Sequence, residues 1–235
     1  MKFIRTPFVQ RKNVSLFWRS IAIAAATLSA FGCQSVGSIA PYRDVPGSSV
    51  RAAAPMIPLS TSMVTGTIRG ASPPGFVSFC MRFASQCEAP VNQPESLSLT
   101  PATWLLLGQI NRQVNVAIWP EDDVRHYGRG EFWTIPTDGY GDCEDFALTK
   151  RSLLVAAGLP EKALRMSIVL TRHDARHAVL TVVTDKGDYV LDSLTDDVLP
   201  WNRAGMIWLE RQDGRDVTQW TALDTAPVLL ATAAH

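Results

Sequence analysis

The feature that most constrains the fold of this 235-residue chain is a series of three short apolar segments in its second half. They are Leu164–Thr171 (LRMSIVLT), His177–Thr184 (HAVLTVVT) and Asp188–Asp192 (DYVLD). Segments of this length, rich in β-branched residues, are typical of strands. Asp185-Lys186-Gly187 supplies turn residues between the last two segments. These segments therefore predict consecutive strands with a tight turn between the second and the third.

A helix is predicted to begin at Thr100-Pro101, before these strands. The threonine hydroxyl can cap the helix, and proline suits the first helical position because an N–H there would have no partner within the helix. Apolar residues recur at helical spacing through Val114, so we expect the helix to run to about Asn115. Residues 119–141 hold two prolines and several aromatic side chains, and they are predicted to form a structured loop.

A second helix is predicted within GDCEDFALTKRSLLVAAGLP. Asp142 can cap it, and Asp145 follows three residues later, as in a capping box. Gly158 is expected to end the helix, and Pro160 is consistent with that end because proline cannot continue it. Cys143 therefore lies in the first helical turn.

The order of these elements predicts an α+β fold, with N-terminal helices packed on an antiparallel β-sheet. Trp201, Trp208 and Trp220 lie in a C-terminal region whose weaker pattern indicates further strands that close the sheet. The length and the 46% hydrophobic content suit one globular domain with extensions. The 22 basic and 22 acidic residues balance, so no basic excess indicates a nucleic-acid partner.

The N-terminus has the layout of a signal peptide, which we predict over residues 1–33. Basic residues precede an apolar run from Ile21 to Phe31, which is shorter than the roughly 20 residues that a transmembrane helix needs. We therefore expect an exported, periplasmic protein. Residues 34–73 are rich in Ser, Gly, Pro and Ala without sustained periodicity, and they are predicted to form a flexible linker or arm. The folded domain is predicted to span residues 74–235.

Export changes the expected chemistry of the four cysteines, because oxidising compartments allow disulfides to persist. Cys80 and Cys87 flank a polar turn, and we predict a local disulfide between them. Ala30-Phe31-Gly32-Cys33 loosely resembles a lipoprotein cleavage site, so lipidation of Cys33 is an alternative to ordinary cleavage near residues 35–40. Cys143 is then the unpaired thiol, which in an exported protein needs a functional reason.

Cys143 is a candidate nucleophile, because the N-terminus of a helix stabilises a thiolate. Three neighbouring carboxylates oppose that effect, so another positive group is required. A protonated histidine stabilises a thiolate as an ion pair and can act as acid and base in acyl transfer. Of the histidines at 126, 173, 177 and 235, His177 is best placed because it opens an apolar strand that can hold it rigidly.

Asp192 is the candidate for the group that orients this histidine. If residues 184–187 form a four-residue loop, Val183 pairs with Asp188, and His177 and Asp192 share one face as diagonal neighbours. A three-residue loop would place them on opposite faces. The structural alternative is that the cysteine is a small buried hydrophobe and the histidine an ordinary strand residue.

The segment GDCEDFALTKRSLLVAAGLP, followed by HAVL and YVLDSL, resembles the bacterial transglutaminase-like cysteine proteinases, whose characterised periplasmic members are the LapG-type adhesin proteases. PPGFVSFCMRFASQC also looks like this family, so the resemblance covers roughly residues 74–225. It implies a papain-like, transglutaminase-like core, with Cys143 as nucleophile, His177 as base and Asp192 as orienting acid.

The resemblance also implies a calcium ion, bound by Asp142 and Glu144 on either side of the nucleophile. A hard dication prefers carboxylate oxygens, and its charge would offset the acids that otherwise raise the pKa of the thiol. The simpler alternative is that these acids only cap the helix. Asp145 is not assigned to the metal, and it is expected to be either a cap partner or a hydrogen-bonding group in the core.

These features predict an exported cysteine endopeptidase that cleaves a secreted or surface protein of the adhesin type through an acyl-enzyme. The resemblance further implies control by an inner-membrane receptor. A protein transglutaminase with the same three residues is the alternative enzyme. The alternative from another class is a noncatalytic module that binds a partner through the aromatic loop around Trp119, Phe132 and Trp133.

Overall fold

The computed structural model describes residues 54–88 and 91–223 of the chain. The predicted signal peptide and the cleavage site at Cys33 lie outside these residues. Within the described part, no helix combines the length and the apolarity that crossing a membrane requires.

The described residues form four α-helices, nine strands and short 3₁₀ turns. The helices are α1 (Pro74–Arg82), α2 (Pro101–Ala117), α3 (Asp123–Tyr127) and α4 (Cys143–Ala156). The strands are β1 (Thr65–Gly70), β2 (Trp119–Pro120), β3 (Tyr140–Gly141), β4 (Leu164–Leu170), β5 (Arg176–Thr184), β6 (Gly187–Asp192), β7 (Thr195–Pro200), β8 (Ile207–Gln212) and β9 (Trp220–Leu223).

Seven of the strands form one antiparallel sheet in the order β1-β9-β8-β4-β5-β6-β7. The other two, β2 and β3, form a short parallel pair. The α+β prediction is therefore confirmed, including the further C-terminal strands. Trp208 and Trp220 lie in β8 and β9, whereas Trp201 lies in a 3₁₀ turn that follows β7.

The boundaries of both predicted helices are confirmed to within about two residues. The Thr100 side chain accepts a hydrogen bond from the Thr103 N–H, as an N-cap should, and α2 runs to Ala117. After α4, Gly158 adopts a φ of 90°, a left-handed conformation that favours glycine.

The register of the β5–β6 hairpin agrees with the prediction, because Val183 pairs with Asp188. The turn is tighter than expected, since Thr184 and Gly187 also pair and leave only two residues between them. Gly187 has a φ of 100°, and a Cβ there would lie 2.6 Å from the backbone of Thr61. Glycine is therefore required by both the turn and its close neighbour.

The main core lies between the sheet and the helices α2 and α4. It includes Leu107 from α2, Leu154 from α4, and Leu180 and Leu191 from the central strands, each fully buried. A smaller cluster that includes Val179 and Val190 lies on the opposite face. Successive residues of a strand point to opposite faces, so the residues of β5 and β6 alternate between these two cores.

Part of the predicted linker over residues 34–73 belongs to the sheet. Thr65–Gly70 forms β1 and pairs with β9, so the ordered chain begins before the predicted boundary at Pro74. Upstream of β1, the Ser60 hydroxyl donates to the Asp188 carbonyl at 2.6 Å. The segment lacks a periodic apolar pattern because backbone and polar hydrogen bonds contribute much of its attachment.

The predicted disulfide between Cys80 and Cys87 is confirmed, with Cα atoms 5.6 Å apart. The loop that it closes is tied to α4, since the Arg151 guanidinium donates to the Gln86 carbonyl at 2.9 Å. Arg151 also forms a buried ion pair with Glu161. These contacts connect the disulfide loop to the helix that carries Cys143.

Candidate active site

Cys143 is the first residue of α4, as predicted, but the predicted capping box does not form. Asp142 occupies the N-cap position without a capping hydrogen bond from its side chain. The Asp145 carboxylate instead accepts a hydrogen bond from the Thr134 N–H at 2.7 Å and is fully buried. Asp145 is therefore a hydrogen-bonding group in the core rather than a cap partner, because the loop that precedes β3 supplies its hydrogen-bond donor.

The Cys143 thiol is half-buried between α4 and β5. The Ala178 N–H donates to Sγ at 3.3 Å, and Sγ donates to Glu144 Oε2 at 3.2 Å. Burial and the adjacent Glu144 raise the pKa of Cys143 well above that of a free thiol. The helix N-terminus alone therefore does not make a thiolate here, and a positive group close to the sulfur is needed.

His177 and Asp192 form a short, buried hydrogen bond. His177 Nε2 lies 2.6 Å from Asp192 Oδ1, and the two side chains are only 7% and 4% exposed. The hairpin register brings them together, since both lie on the same face of β5 and β6. The bond to Asp192 occupies Nε2 and leaves Nδ1 as the ring nitrogen free to exchange a proton.

Two further groups hold Asp192 in place. The Leu194 N–H donates to Asp192 Oδ1 at 3.1 Å, and the Asn115 amide on α2 donates to the Asp192 carbonyl at 3.1 Å. Cys143 and His177 both line the same two clefts. The structure thus brings the three predicted residues Cys143, His177 and Asp192 to one site.

The acids around Cys143 form an unusual cluster. Asp142, Cys143 and Glu144 each offer one ligand atom, and these atoms lie within 4.8 Å of one another; the same holds for Asp123, Asp142 and Asp145. Burial is the main cause of the raised pKa of all four carboxyl groups. The pKa of Asp145 rises to about 8, and the charge of Asp142 further raises the pKa of Glu144.

Three carboxylate oxygens of this cluster are buried without a hydrogen-bond partner among the described residues: Asp123 Oδ1, Asp142 Oδ1 and Asp145 Oδ2. Unpaired buried carboxylate oxygens are costly, and they are the ligands that a hard cation prefers. The cluster therefore fits a calcium ion. Sequence reasoning missed Asp123, although the acidic pair Asp122-Asp123 in the loop after Pro120 was a signal for it.

Trp133 and Tyr140 are the candidates for a side-chain donor to the oxyanion that forms in acyl transfer, and they lie in different surroundings. Trp133 lines the cleft beside Cys143, but its indole N–H donates to Glu131 at 3.2 Å and its ring packs in the core against Phe76 and Trp220. Tyr140 packs against His126 instead. Because Trp133 is buried whereas Trp119 is largely exposed, the aromatic loop does not present one continuous binding surface.

Lys150, which sequence analysis did not single out, is fully buried on α4 two turns after Cys143. Its Nζ has no hydrogen-bond partner in the described part of the chain and lies 5.9 Å from the centre of the Phe146 ring. Burial lowers the pKa of Lys150 to about 7, against the opposing effect of the carboxylates of Asp192 and Asp196. Lys150 therefore places an unpaired buried ammonium close to the candidate triad.

Replacing Lys150 by methionine is expected to change how stability depends on pH. An unfolded lysine keeps its proton to about pH 10.4, so between pH 7 and 10 the unfolded chain binds more protons than the folded chain. Lys150 thus makes the wild type more stable as pH rises through this range. The advantage of Lys150→Met should be greatest at pH 7 and should shrink by about 1 kcal/mol or more by pH 9.

Urea unfolding of both proteins at pH 7, 8 and 9 measures this difference. Lys150→Leu has a different shape and should show the same pH dependence, because the effect comes from the charge. A stability difference that stays constant over this range would contradict an unpaired buried ammonium.

A family model described as bacterial transglutaminase-like cysteine proteinase matches residues 67–227. No curated protein matches the chain.

Three solved structures of LapG from Legionella pneumophila resemble the chain. The calcium-bound form is 22% identical with a TM-score of 0.43, and the match covers 71% of this chain and 93% of that one. The EGTA-treated form is 26% identical with a TM-score of 0.41, and the match covers 58% of this chain and 71% of that one. A third structure is 24% identical with a TM-score of 0.43, and the match covers 68% of this chain and 84% of that one. Because the family model matches more than half of this chain, the chain belongs to the bacterial transglutaminase-like cysteine proteinases.

Proposed function

We propose that the chain is an exported cysteine endopeptidase in which Cys143 is the nucleophile, His177 the base and Asp192 the orienting acid. The observation that carries this proposal is the 2.6 Å bond between His177 and Asp192, in a cleft that Cys143 also lines. Acyl transfer requires a nucleophile, a base beside it and a group that orients the base, and the thiol, the imidazole and the carboxylate fill these roles in that order.

The reaction begins when His177 Nδ1 takes the proton from Cys143 Sγ. The thiolate attacks the carbonyl carbon of the substrate, a C–S bond forms, and the C–N bond breaks as the imidazolium gives its proton to the leaving amine. Water then attacks the thioester while His177 takes a proton from it, and the C–S bond breaks to release the carboxylate and restore the thiol. Asp192 holds the imidazole in one orientation throughout and stabilises its protonated form.

We propose Asp142 and Glu144 as calcium ligands, as the resemblance implies. The unpaired oxygens of Asp123 and Asp145 beside them support a cation at this place. A bound dication would supply positive charge next to Cys143 and favour its thiolate over its thiol. The protein residues remain responsible for each proton transfer.

Calcium is expected to raise the melting temperature of the purified protein. At a concentration about 100 times the dissociation constant, one bound ion adds about 2.7 kcal/mol to the free energy of unfolding. For a chain of this size that corresponds to about 5–10 °C. Glu144→Gln should lose most of the shift, whereas Asp174→Asn, in an exposed loop, should keep it.

Differential scanning calorimetry with calcium, magnesium or EGTA makes this comparison. Equal melting temperatures in calcium and in EGTA would refute the site. A shift that Glu144→Gln retains in full would show that calcium binds elsewhere.

The proposed substrate is a secreted or surface protein of the adhesin type, and the proposed regulator is an inner-membrane receptor. The family resemblance supports both, and the Cys80–Cys87 disulfide supports an oxidising, periplasmic location. Ordinary cleavage after the apolar run and lipidation of Cys33 would give mature proteins of different mass. Mass spectrometry of the protein from the periplasmic and membrane fractions distinguishes the two.

Hydrolysis and transamidation can be separated in one experiment. The protein is incubated with denatured protein substrates in H₂¹⁸O that contains a biotin-labelled primary amine. A peptidase releases new carboxyl termini that contain ¹⁸O, whereas a transglutaminase attaches the biotin to glutamine side chains. We expect ¹⁸O at new termini; biotin incorporation that outpaces hydrolysis would favour the transglutaminase.

A further inference from the structure

A second groove of about 400 Å³ lies beside the active-site cleft, between α1 and the loop that precedes β3. Ser78 and Arg82 line it from the helix, and Arg129 and Phe132 line it from the loop. Glu131 lines both this groove and the cleft that holds Cys143. A polypeptide that lies across the thiol can therefore continue into the groove.

Two arginines converge on one aromatic ring in this groove. The guanidinium carbons of Arg82 and Arg129 each lie 3.9 Å from the centre of the Phe132 ring. Arg82 also donates to the Trp133 carbonyl at 2.6 Å and to the Ser78 carbonyl at 3.2 Å. These contacts hold Arg82 in a defined position at the edge of the active-site segment.

Neither arginine forms an ion pair with a carboxylate in residues 54–88 and 91–223. Arg129 contacts the Phe132 ring and forms no hydrogen bond with any of these residues. The nearby Glu131 carboxylate accepts instead from the Trp133 indole. The groove thus gathers two like charges that no carboxylate contacts directly, although the more distant Asp145 and Asp123 act favourably on Arg82.

The contact with the ring leaves the edges of the Arg129 guanidinium free, whereas Arg82 already donates through Nε and Nη2 and keeps Nη1 for a ligand. A planar guanidinium donates in its own plane, so a group stacked on a ring can still bind a carboxylate through two parallel hydrogen bonds. Burial, and to a smaller extent the charge of Arg129, lowers the pKa of Arg82, so part of the shift is the cost of placing the two cations together. A bound carboxylate would remove that cost.

We infer that this groove is a substrate subsite for an aspartate or glutamate side chain, with Arg82 and Arg129 as its specificity-determining residues. The inference rests on the proposed endopeptidase function, since the groove shares Glu131 with the Cys143 cleft and the cleaved polypeptide is therefore its occupant. It adds a sequence requirement: an acidic residue at one fixed distance from the scissile bond.

A library of peptides derived from a proteome tests this requirement. The calcium-loaded wild-type protein digests the library, and mass spectrometry aligns the new termini. We expect aspartate and glutamate to be enriched at one position on one side of the cut. Arg129→Glu should lower kcat/KM for a peptide with glutamate there by about tenfold or more, and should prefer lysine or arginine at that position.

Arg112→Glu is the matched control, because it makes the same charge change at an exposed position on α2 outside the groove. It should keep the wild-type acidic preference. Arg129 makes no hydrogen bond that the fold depends on, so its variant should fold; Arg129→Gln should lose the acidic preference without gaining a basic one.

The outcomes separate this inference from the function on which it rests. Cleavage without an acidic preference, or an unchanged preference in Arg129→Glu, overturns the subsite and leaves the endopeptidase standing. An unchanged library after treatment with the wild-type protein overturns both.

Discussion

Cys143→Ala is expected to abolish peptide-bond cleavage, with a loss of at least about 10⁴-fold in kcat. The variant has no sulfur to attack the carbonyl carbon, so neither the acyl-enzyme nor its hydrolysis can occur. Binding is expected to persist, because the clefts that flank the thiol are lined by many other side chains. The measurement is cleavage of a quenched fluorescent peptide selected from the library digest, in parallel with the wild type.

The control for this prediction is the fold. Within residues 54–88 and 91–223 the Cys143 thiol makes only two hydrogen bonds, so its loss should leave the calcium-dependent melting shift in place. Trapping gives independent evidence: acid quenching of the wild type during turnover should yield a thioester at Cys143 that mass spectrometry detects. A Cys143→Ala variant that retained more than a few per cent of the activity would exclude this residue as the nucleophile.

Asp192→Asn should lower kcat by about 10³–10⁴-fold with little change in KM. An asparagine has nearly the same shape, but it cannot stabilise a protonated imidazole, and its amide can donate to Nε2 and favour the wrong tautomer. His177 would then present a protonated Nδ1 to the thiol and could not take its proton. The prediction therefore concerns the chemical step rather than binding.

Asp197→Asn is the matched control, because the change is the same and the exposed Asp197 side chain on strand β7 makes no hydrogen bond with the described residues. It should keep nearly wild-type activity. Steady-state kinetics on both variants, with circular dichroism to verify the fold, makes the comparison. If Asp192→Asn and Asp197→Asn were equally active, the 2.6 Å contact of Asp192 with His177 would have a structural role only.

Local sequence signals predicted the elements that carry the site. The Thr100 cap, the glycine after α4 and the apolar strands each act within a few residues, so they can be recognised without tertiary contacts. The hairpin register could be predicted for the same reason, because a turn of known length determines which residues face one another. That register made the contact between His177 and Asp192 predictable.

The errors occurred where a distant segment competes with a local interaction. Asp145 has the spacing of a capping box, yet its carboxylate binds the Thr134 N–H, which becomes available only when the preceding loop packs against α4. The strand β1 has no strong pattern of its own, because it forms by pairing with β9 about 150 residues later. Neither arrangement can be inferred from spacing.

By itself, the sequence determined the helices α2 and α4, the strands β4 to β6, the disulfide and the identity of the three candidate catalytic residues, because each depends on short-range geometry or on a local motif. Only the tertiary structure decided the environment of those residues. It buried the Asp123 carboxylate against Asp142 and Asp145, buried Lys150 near Asp192, and brought Arg82 and Arg129 together on Phe132. Charges interact through space and burial, so their energies depend on folded distances that no sequence interval specifies.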